Sequence, residues 1–275
     1  MYLPRNGSAL KGGIYVQGGA SDVLLRVDTS GRQVYEITDA AGVKTTVTVD
    51  ATAGSTTVVT SRPNGNGQPT VSTATYTGVP NGQLFVNGTI GGLRGPARTG
   101  TLPSPAPDTS TPSQVPPAVA STSQLNIAAS GDVVVTGDLT YRDDPRTVSG
   151  AKNVLGIISG SGNVRVGAAA PNDLYLHGAI LAGASGKGLQ VDGYNSGPAR
   201  GSIHLLGSLA ESSDPPRGVG SIDAAGNVSI VNGYGDAFHF DQRFLNGGTV
   251  PPFFPATTRF EAKSSWPDQQ AWREN

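Results

Sequence analysis

Three histidines, His177, His204 and His239, are the side chains best suited to move protons near neutral pH or to ligate a metal through nitrogen. They lie far apart in the chain, and no two share the spacing that sets a pair of imidazoles on one helical face. His177 and His204 each alternate with apolar residues in a strand-like run, so both are expected to point outward. His239 falls in an aromatic tail and is expected to pack there. A surface or packing role is the expectation for all three, rather than a metal or catalytic one. The chain has no cysteine, which excludes thiolate ligands, cysteine nucleophiles and disulfides. No Gly-x-Ser-x-Gly turn occurs. The segment Gly183-Ala184-Ser185-Gly186-Lys187-Gly188 departs from a phosphate loop in its glycine spacing and in carrying Gly after the lysine, so it reads as a turn. No cofactor is expected.

The best acidic cluster is Asp138 with Asp143 and Asp144. A carbohydrate-active β-helix enzyme would need converging carboxylates, or Ca²⁺ with a basic residue, and this is where either would sit. Arg142 and Arg146 interleave with these acids, and the plainer expectation is a solvated turn with local ion pairs. Arg94, Arg98, Arg142, Arg146, Arg165, Arg200 and Arg217 lie in or beside loops and are candidate contacts for DNA or another anionic polymer. Tyr141, Tyr175 and Tyr194 could stack on bases or sugars. Their spacing does not by itself bring them together, and scattered solubilising charge is the competing expectation. The net charge of −1 and pI near 6.3 give no global basic field.

The elements that must position these residues are β-strands. The chain carries 39 Gly and 20 Pro with only 14% charged residues, a balance that favours short strands and turns over helices. A seven-residue pattern recurs in which two alternating apolar residues are followed by Gly and a further apolar residue. It reads Ile14, Val16, Gly18, Ala20; then Leu84, Val86, Gly88, Ile90; then Val133, Val135, Gly137, Leu139. It returns as Leu174, Leu176, Gly178, Ile180 and as Ile203, Leu205, Gly207, Leu209, with shorter relatives at Val164-Val166-Gly167 and Leu189-Val191-Gly193. Alternate side chains enter one core, and Gly permits a bend or a close approach between strands. Stacked copies would make an all-β solenoid, or β-helix, spanning residues 1–21, 81–100 and 121–233, and an ordinary β-sandwich is the alternative.

Residues 22–80 differ. Val23–Val27, Gln33–Ile37, Val43–Val49 and Thr56–Thr60 are strand candidates separated by turns ending in Gly, which predicts an inserted antiparallel β-meander. Arg62–Pro69 is a loop. Residues 101–120 are proline-rich and are expected to be an extended connector or a floppy excursion. Residues 234–275 are aromatic and proline-rich and should cap the strand edges, with Trp266 and Trp272 on a short terminal helix. No apolar run is long enough to span a membrane, and Met1–Arg5 lacks an apolar leader core. The start fits a trimmed ectodomain or a cytoplasmic protein.

Leu125–Tyr141 followed by Val154–Val166, with Leu84–Gly88 before them, resembles the PilX-like type IV pilus accessory family of bacterial surface proteins. Asp173–Ala182, Phe238–Phe244 and Pro251–Pro255 resemble its later blocks. Relatives of that family include ComZ-like β-solenoid minor pilins. The resemblance implies an extracellular, pilus- or envelope-associated protein that binds without turnover. Its partners would be pilus or envelope proteins, DNA or polysaccharide. It transfers no individual functional residue, and the prepilin-like apolar helix usual in the family is missing here. Two rivals stand beside it: a carbohydrate-active β-helix enzyme, and a homo-oligomeric architectural envelope protein.

Overall fold

Runs of β-branched and apolar residues, broken every few positions by glycine, build every regular element but one. The structure is a computed structural model that describes residues 1–65 and 67–255. Trp266 and Trp272, with the helix expected around them, lie outside the described residues. The strands are β1 (Arg5–Asn6), β2 (Ala9–Leu10), β3 (Ile14–Gln17), β4 (Ala20–Val27), β5 (Gln33–Asp39), β6 (Lys44–Asp50), β7 (Ser55–Arg62), β8 (Thr70–Thr77), β9 (Gln83–Asn87) and β10 (Ile90–Arg94). They continue as β11 (Gln124–Ala129), β12 (Val133–Val135), β13 (Val154–Ser159), β14 (Val164–Val166), β15 (Leu174–Ala182), β16 (Leu189–Val191), β17 (Ala199–Glu211), β18 (Gly218–Ile222) and β19 (Val228–Phe240). A short 3₁₀ helix, Gln242–Gly247, follows, with the Asp241 side chain accepting from the Arg243 N–H at its start.

The fold is all-β, with parallel and antiparallel pairing mixed in two sheets. The first sheet runs β18-β19-β17-β15-β13-β11-β9-β3, and from β3 to β19 every pair is parallel. The second runs β1-β2-β8-β7-β6-β5-β4-β10-β12-β14-β16, parallel from β4 to β16 and antiparallel from β4 to β8. From β9 to β16 the chain alternates between the sheets, one strand in each. The β4–β8 strands match the four candidates in the 22–61 region and add β8, whose Thr- and Ser-rich sequence is largely exposed and carries no apolar alternation.

Register explains the core. Ile14, Leu84, Ile127, Ile157 and Ile180 stack in one row of the first sheet. Ala20, Ile90, Val133, Val164 and Leu189 stack in one row of the second, and Val23, Leu93, Val135, Val166 and Val191 in the next. All of these are buried in a single apolar cluster. Each row therefore buries like against like along the stack.

The register also corrects the equivalence of the repeated pattern. In Ile14–Ala20 and Leu84–Ile90 the pattern crosses from one sheet to the other. In Leu174–Ile180 and Ile203–Leu209 it lies within one strand, and Ile180 and Leu209, its last members, align with Ile14 and Leu84, its first. Val133–Gly137 starts in the second sheet, like the two shorter relatives. The copies share a local rule, apolar pair then glycine, but not a position in the stack. The isolated parallel bridges Val119↔Tyr141 and Leu139↔Leu176 continue the pairing beside the first half of β15.

Two of the pattern glycines, Gly88 and Gly207, mark close approaches. A side chain at Gly88 would meet the backbone of Gly18 and Gly19, and one at Gly207 would strike the Gly178 carbonyl. Gly207→Ala should therefore destabilise the fold by about 2 kcal/mol or more through overpacking, whereas Gly65→Ala, in open space, should change it by less than about 0.5 kcal/mol. Urea unfolding of the two variants beside the parent checks both.

Candidate functional site

Alternation along β15, β17 and β19 places Tyr175, His177, His204, Leu206 and His239 on the same face of three neighbouring strands. Tyr175 pairs with His204, and His177, Leu206 and His239 form the adjacent row. The histidines, 62 residues apart in sequence from first to last (239 − 177), thus converge on one surface. The expectation that His177 and His204 face solvent is corrected: they are 1% and 7% exposed. Their side chains do point away from the apolar core, but the proline-rich segment lies over them.

That segment behaves as a strap. Proline denies most of it ladder hydrogen bonds; only Ala118 and Val119 bond the backbone of Thr140 and Arg142, and side chains hold the stretch before them. The Tyr175 hydroxyl donates to the Pro107 carbonyl at 2.6 Å. The Asp108 carboxylate lies between two imidazoles, 3.3 Å from His204 Nδ1 and 3.0 Å from His239 Nε2. His239 Nε2 makes no well-formed hydrogen bond there. Thr111 Oγ1 meets His177 Nε2 at 3.3 Å. Further along, the buried Gln33 amide donates to the Ala118 carbonyl at 3.0 Å and accepts from the Ala120 N–H at 2.9 Å. Residues 101–120 are fastened across the face rather than floppy.

The electrostatics follow from these contacts. His177 Nδ1 accepts from the Tyr141 N–H at 3.2 Å, which leaves the neutral ring's proton on Nε2, toward Thr111. Burial holds His177 well below the ordinary imidazole range, against the pull of Asp144. Burial would raise Asp144, but the hydrogen bonds from Arg146 outweigh it and hold the carboxyl low. Contact with His239, then with His204, lowers Asp108. His204 stacks on Tyr175 with ring centroids 4.5 Å apart, and its Nε2 lies 3.6 Å from Asp173 Oδ1. The covering strap keeps His177 and His204 from a substrate.

The acids expected to cluster do not share a site. Asp138 is buried and clamped by Arg98, with Nε to Oδ2 at 2.6 Å and Nη2 to Oδ1 at 2.8 Å, and it also accepts from the Tyr175 N–H. Its partner comes from 40 residues upstream, not from the neighbouring arginines. Asp143 accepts from the Ser121 hydroxyl at 2.9 Å, and Asp144 pairs with Arg146 at 2.6 Å. Among the described residues no group of three or more His, Asp or Glu could hold a metal ion.

The candidate contacts for a polyanion are mostly neutralised in place. Arg94 pairs with Asp22, Arg165 with Asp132 and Asp192, and Arg217 with Asp214 and Asp236. Arg98 and Arg146 are engaged as above. Arg200 lies over the Tyr234 ring at 4.6 Å and donates to the Ala170 carbonyl. Arg142 makes no ion pair among the described residues and lies beside Gly31. Tyr141, expected as a surface stacking platform, is buried, with its hydroxyl accepting from the Leu155 N–H; Tyr175 is likewise buried, beneath the strap. The residues that sequence reasoning missed are Asp108, Thr111 and Asp173. Asp108 was findable in one respect, as the single charged residue in 101–120.

An open cleft of about 540 Å³ lies between residues 100–106 of the strap and Asn172–Asp173, with Arg98 in its lining. Comparison with protein-family models, with curated proteins and with solved structures found no match. No helix among the described residues is long and apolar enough to cross a membrane.

The depressed His177 makes a pH prediction. The unfolded chain takes up a proton on this ring below about pH 6.5 while the folded chain refuses it, so stability should fall as pH drops, by up to about 1.4 kcal/mol per pH unit. His177→Gln should flatten the slope between about pH 6.5 and 4.5 by as much as one proton. Urea midpoints across that range, parent against variant, measure the difference.

Proposed function

We propose that this chain is a non-catalytic β-solenoid that works at the cell surface as a rigid presenting rod, an accessory of type IV pili or of the envelope. The observation that carries this reading is the long run of parallel pairs in each sheet, β3 to β19 in one and β4 to β16 in the other, visited in alternation by successive strands from β9 to β16. Such a stack has a narrow core and a long outer surface, which suits display and adhesion better than enclosure of a substrate. The loops that leave the stack, including the strap and the β4–β8 meander, would supply the binding surfaces. The PilX-like resemblance supplies the pilus context, and the extracellular placement rests on it.

Within this reading, protein or polysaccharide partners fit better than DNA. Five of the seven candidate arginines already answer carboxylates. Duplex DNA binding, measured by fluorescence anisotropy over a salt series, should be weak, with a slope corresponding to no more than about two phosphate contacts. A slope of six or more would restore DNA capture. Quantitative mass spectrometry of sheared pili, envelope and cytoplasm from the native cells tests the main proposal. Enrichment with the pili is expected, and recovery confined to the cytoplasm would overturn it.

A further inference from the structure

Arg142 is the exception among the seven candidate arginines. Five of the others answer a carboxylate, and Arg200 answers a carbonyl and a ring. The Arg142 side chain is exposed and makes no hydrogen bond or ion pair among the described residues. Its backbone is fixed nonetheless, because its N–H donates to the Val119 carbonyl at 2.9 Å beside the Val119–Tyr141 bridge. The end of the strap thus holds this side chain in place, and it stands between two cavities.

The first cavity, of about 220 Å³, is walled by the β4–β5 turn, the β6–β7 turn and residues 120–123. Buried Gln33, bonded to Ala118 and Ala120, ties the meander to the strap end there. Arg142 Nη1 comes within 3.3 Å of the point where a side chain on Gly31 would begin, and Gly31 lines this cavity. Ser30, Thr52, Thr122 and Ser123 line it with hydroxyls that make no hydrogen bond among the described residues, and Asp50 adds a carboxylate. The second cavity, of about 340 Å³, lies between residues 110–117 of the strap and residues 141–148, with Arg142 in its own lining. Pro112, Val115, Pro116 and Val148 give it apolar surface, and Ser110 and Asp144 give it polar groups.

We propose that these two cavities bind a neutral polysaccharide, with sugar units in both and Arg142 hydrogen-bonding at the junction. A sugar ring carries hydroxyls around its edge, which donate and accept, and C–H patches on its faces. The cavities offer the matching pair of surfaces, hydroxyls with a guanidinium and carboxylates beside proline and valine. The rigid fork of five N–H donors on Arg142 can bridge neighbouring hydroxyls of one ring. An aliphatic ligand would leave that guanidinium and the hydroxyls of the first cavity unpaired. An anionic chain is opposed by Asp50 in the first cavity and by Asp143 next to Arg142. The site rests on the surface-display reading, in which the meander and the strap supply the binding surfaces, and gives its polysaccharide partner a place.

The test is isothermal titration calorimetry of the full chain with cellohexaose, maltohexaose, mannohexaose and chitohexaose, and with hexagalacturonate as the acidic counterpart. One or more of the neutral hexasaccharides should bind, and more tightly than its own disaccharide, because two cavities are filled. Arg142→Ala, at an exposed position, should raise the dissociation constant about tenfold or more. Thr122→Trp, which fills the first cavity from an exposed position, should remove the advantage of the longer chain. Added salt should leave the affinity unchanged, unlike contacts to phosphate. No binding of any neutral hexasaccharide, a preference for hexagalacturonate, or a complex indifferent to both variants would each overturn the site. The cell fractions keep the two claims apart. Enrichment with pili but no sugar binding removes the site alone, and sugar binding by a protein confined to the cytoplasm removes the surface reading alone.

Discussion

The structure depends on one constraint, the in-register hydrogen bonding of a parallel strand along both of its edges. A residue in the middle of such a ladder has its row fixed by the residues before and after it in the stack. Ile157 sits between Ile127 and Ile180, and Val164 between Val133 and Leu189. A shift of one residue would turn every one of these side chains to the opposite face. The apolar rows and the glycine contacts both follow from holding that register.

The same constraint creates a second demand. Strands β11, β13 and β15 are buried on both faces, which a stack with a single core does not accomplish alone. The strap covers one part of the outer face. The segment after β19 covers another, with Pro251 and Phe254 against Gly156 and Pro252 against Gly82. Arg243 fastens this second cover by donating to the Ala151 and Asn153 carbonyls at 3.0 and 2.8 Å. Neither cover can join a ladder at its prolines, so side chains reaching for carbonyls and carboxylates fasten both, with backbone bonds added at Ala118 and Val119 of the strap.

Strand identity was legible in the sequence because alternation and glycine are local signals. The β4–β7 hairpins could be read directly, as could the apolar pairs of β3, β9, β12, β14 and β16. Equivalence between repeats was not legible, because Ile14 and Ile180 occupy the same row while standing at opposite ends of the same pattern. The histidine face was hidden for a different reason. Periodicity reveals which side of a strand a residue takes, but not what later folds over that side. His177 was assigned the outer side correctly and its exposure wrongly, since its cover arrives from residues 107–111. The Arg98–Asp138 pair likewise required contact across 40 residues that no spacing rule encodes.

The strap has a consequence for the order in which the chain can mature. Asp108 closes against His239, a separation of 131 residues (239 − 108), across strands that form only when the last of the stack is in place. While the chain emerges from its N-terminus, residues 101–111 have no finished surface to grip, and contacts of such long range form late. The contact of Asp108 with His239 then stays unmade until β19 docks. The strap is thus a clasp whose last contact closes with the completion of the fold, and its closure withdraws the outer faces of Tyr175, His177 and His204 from other chains.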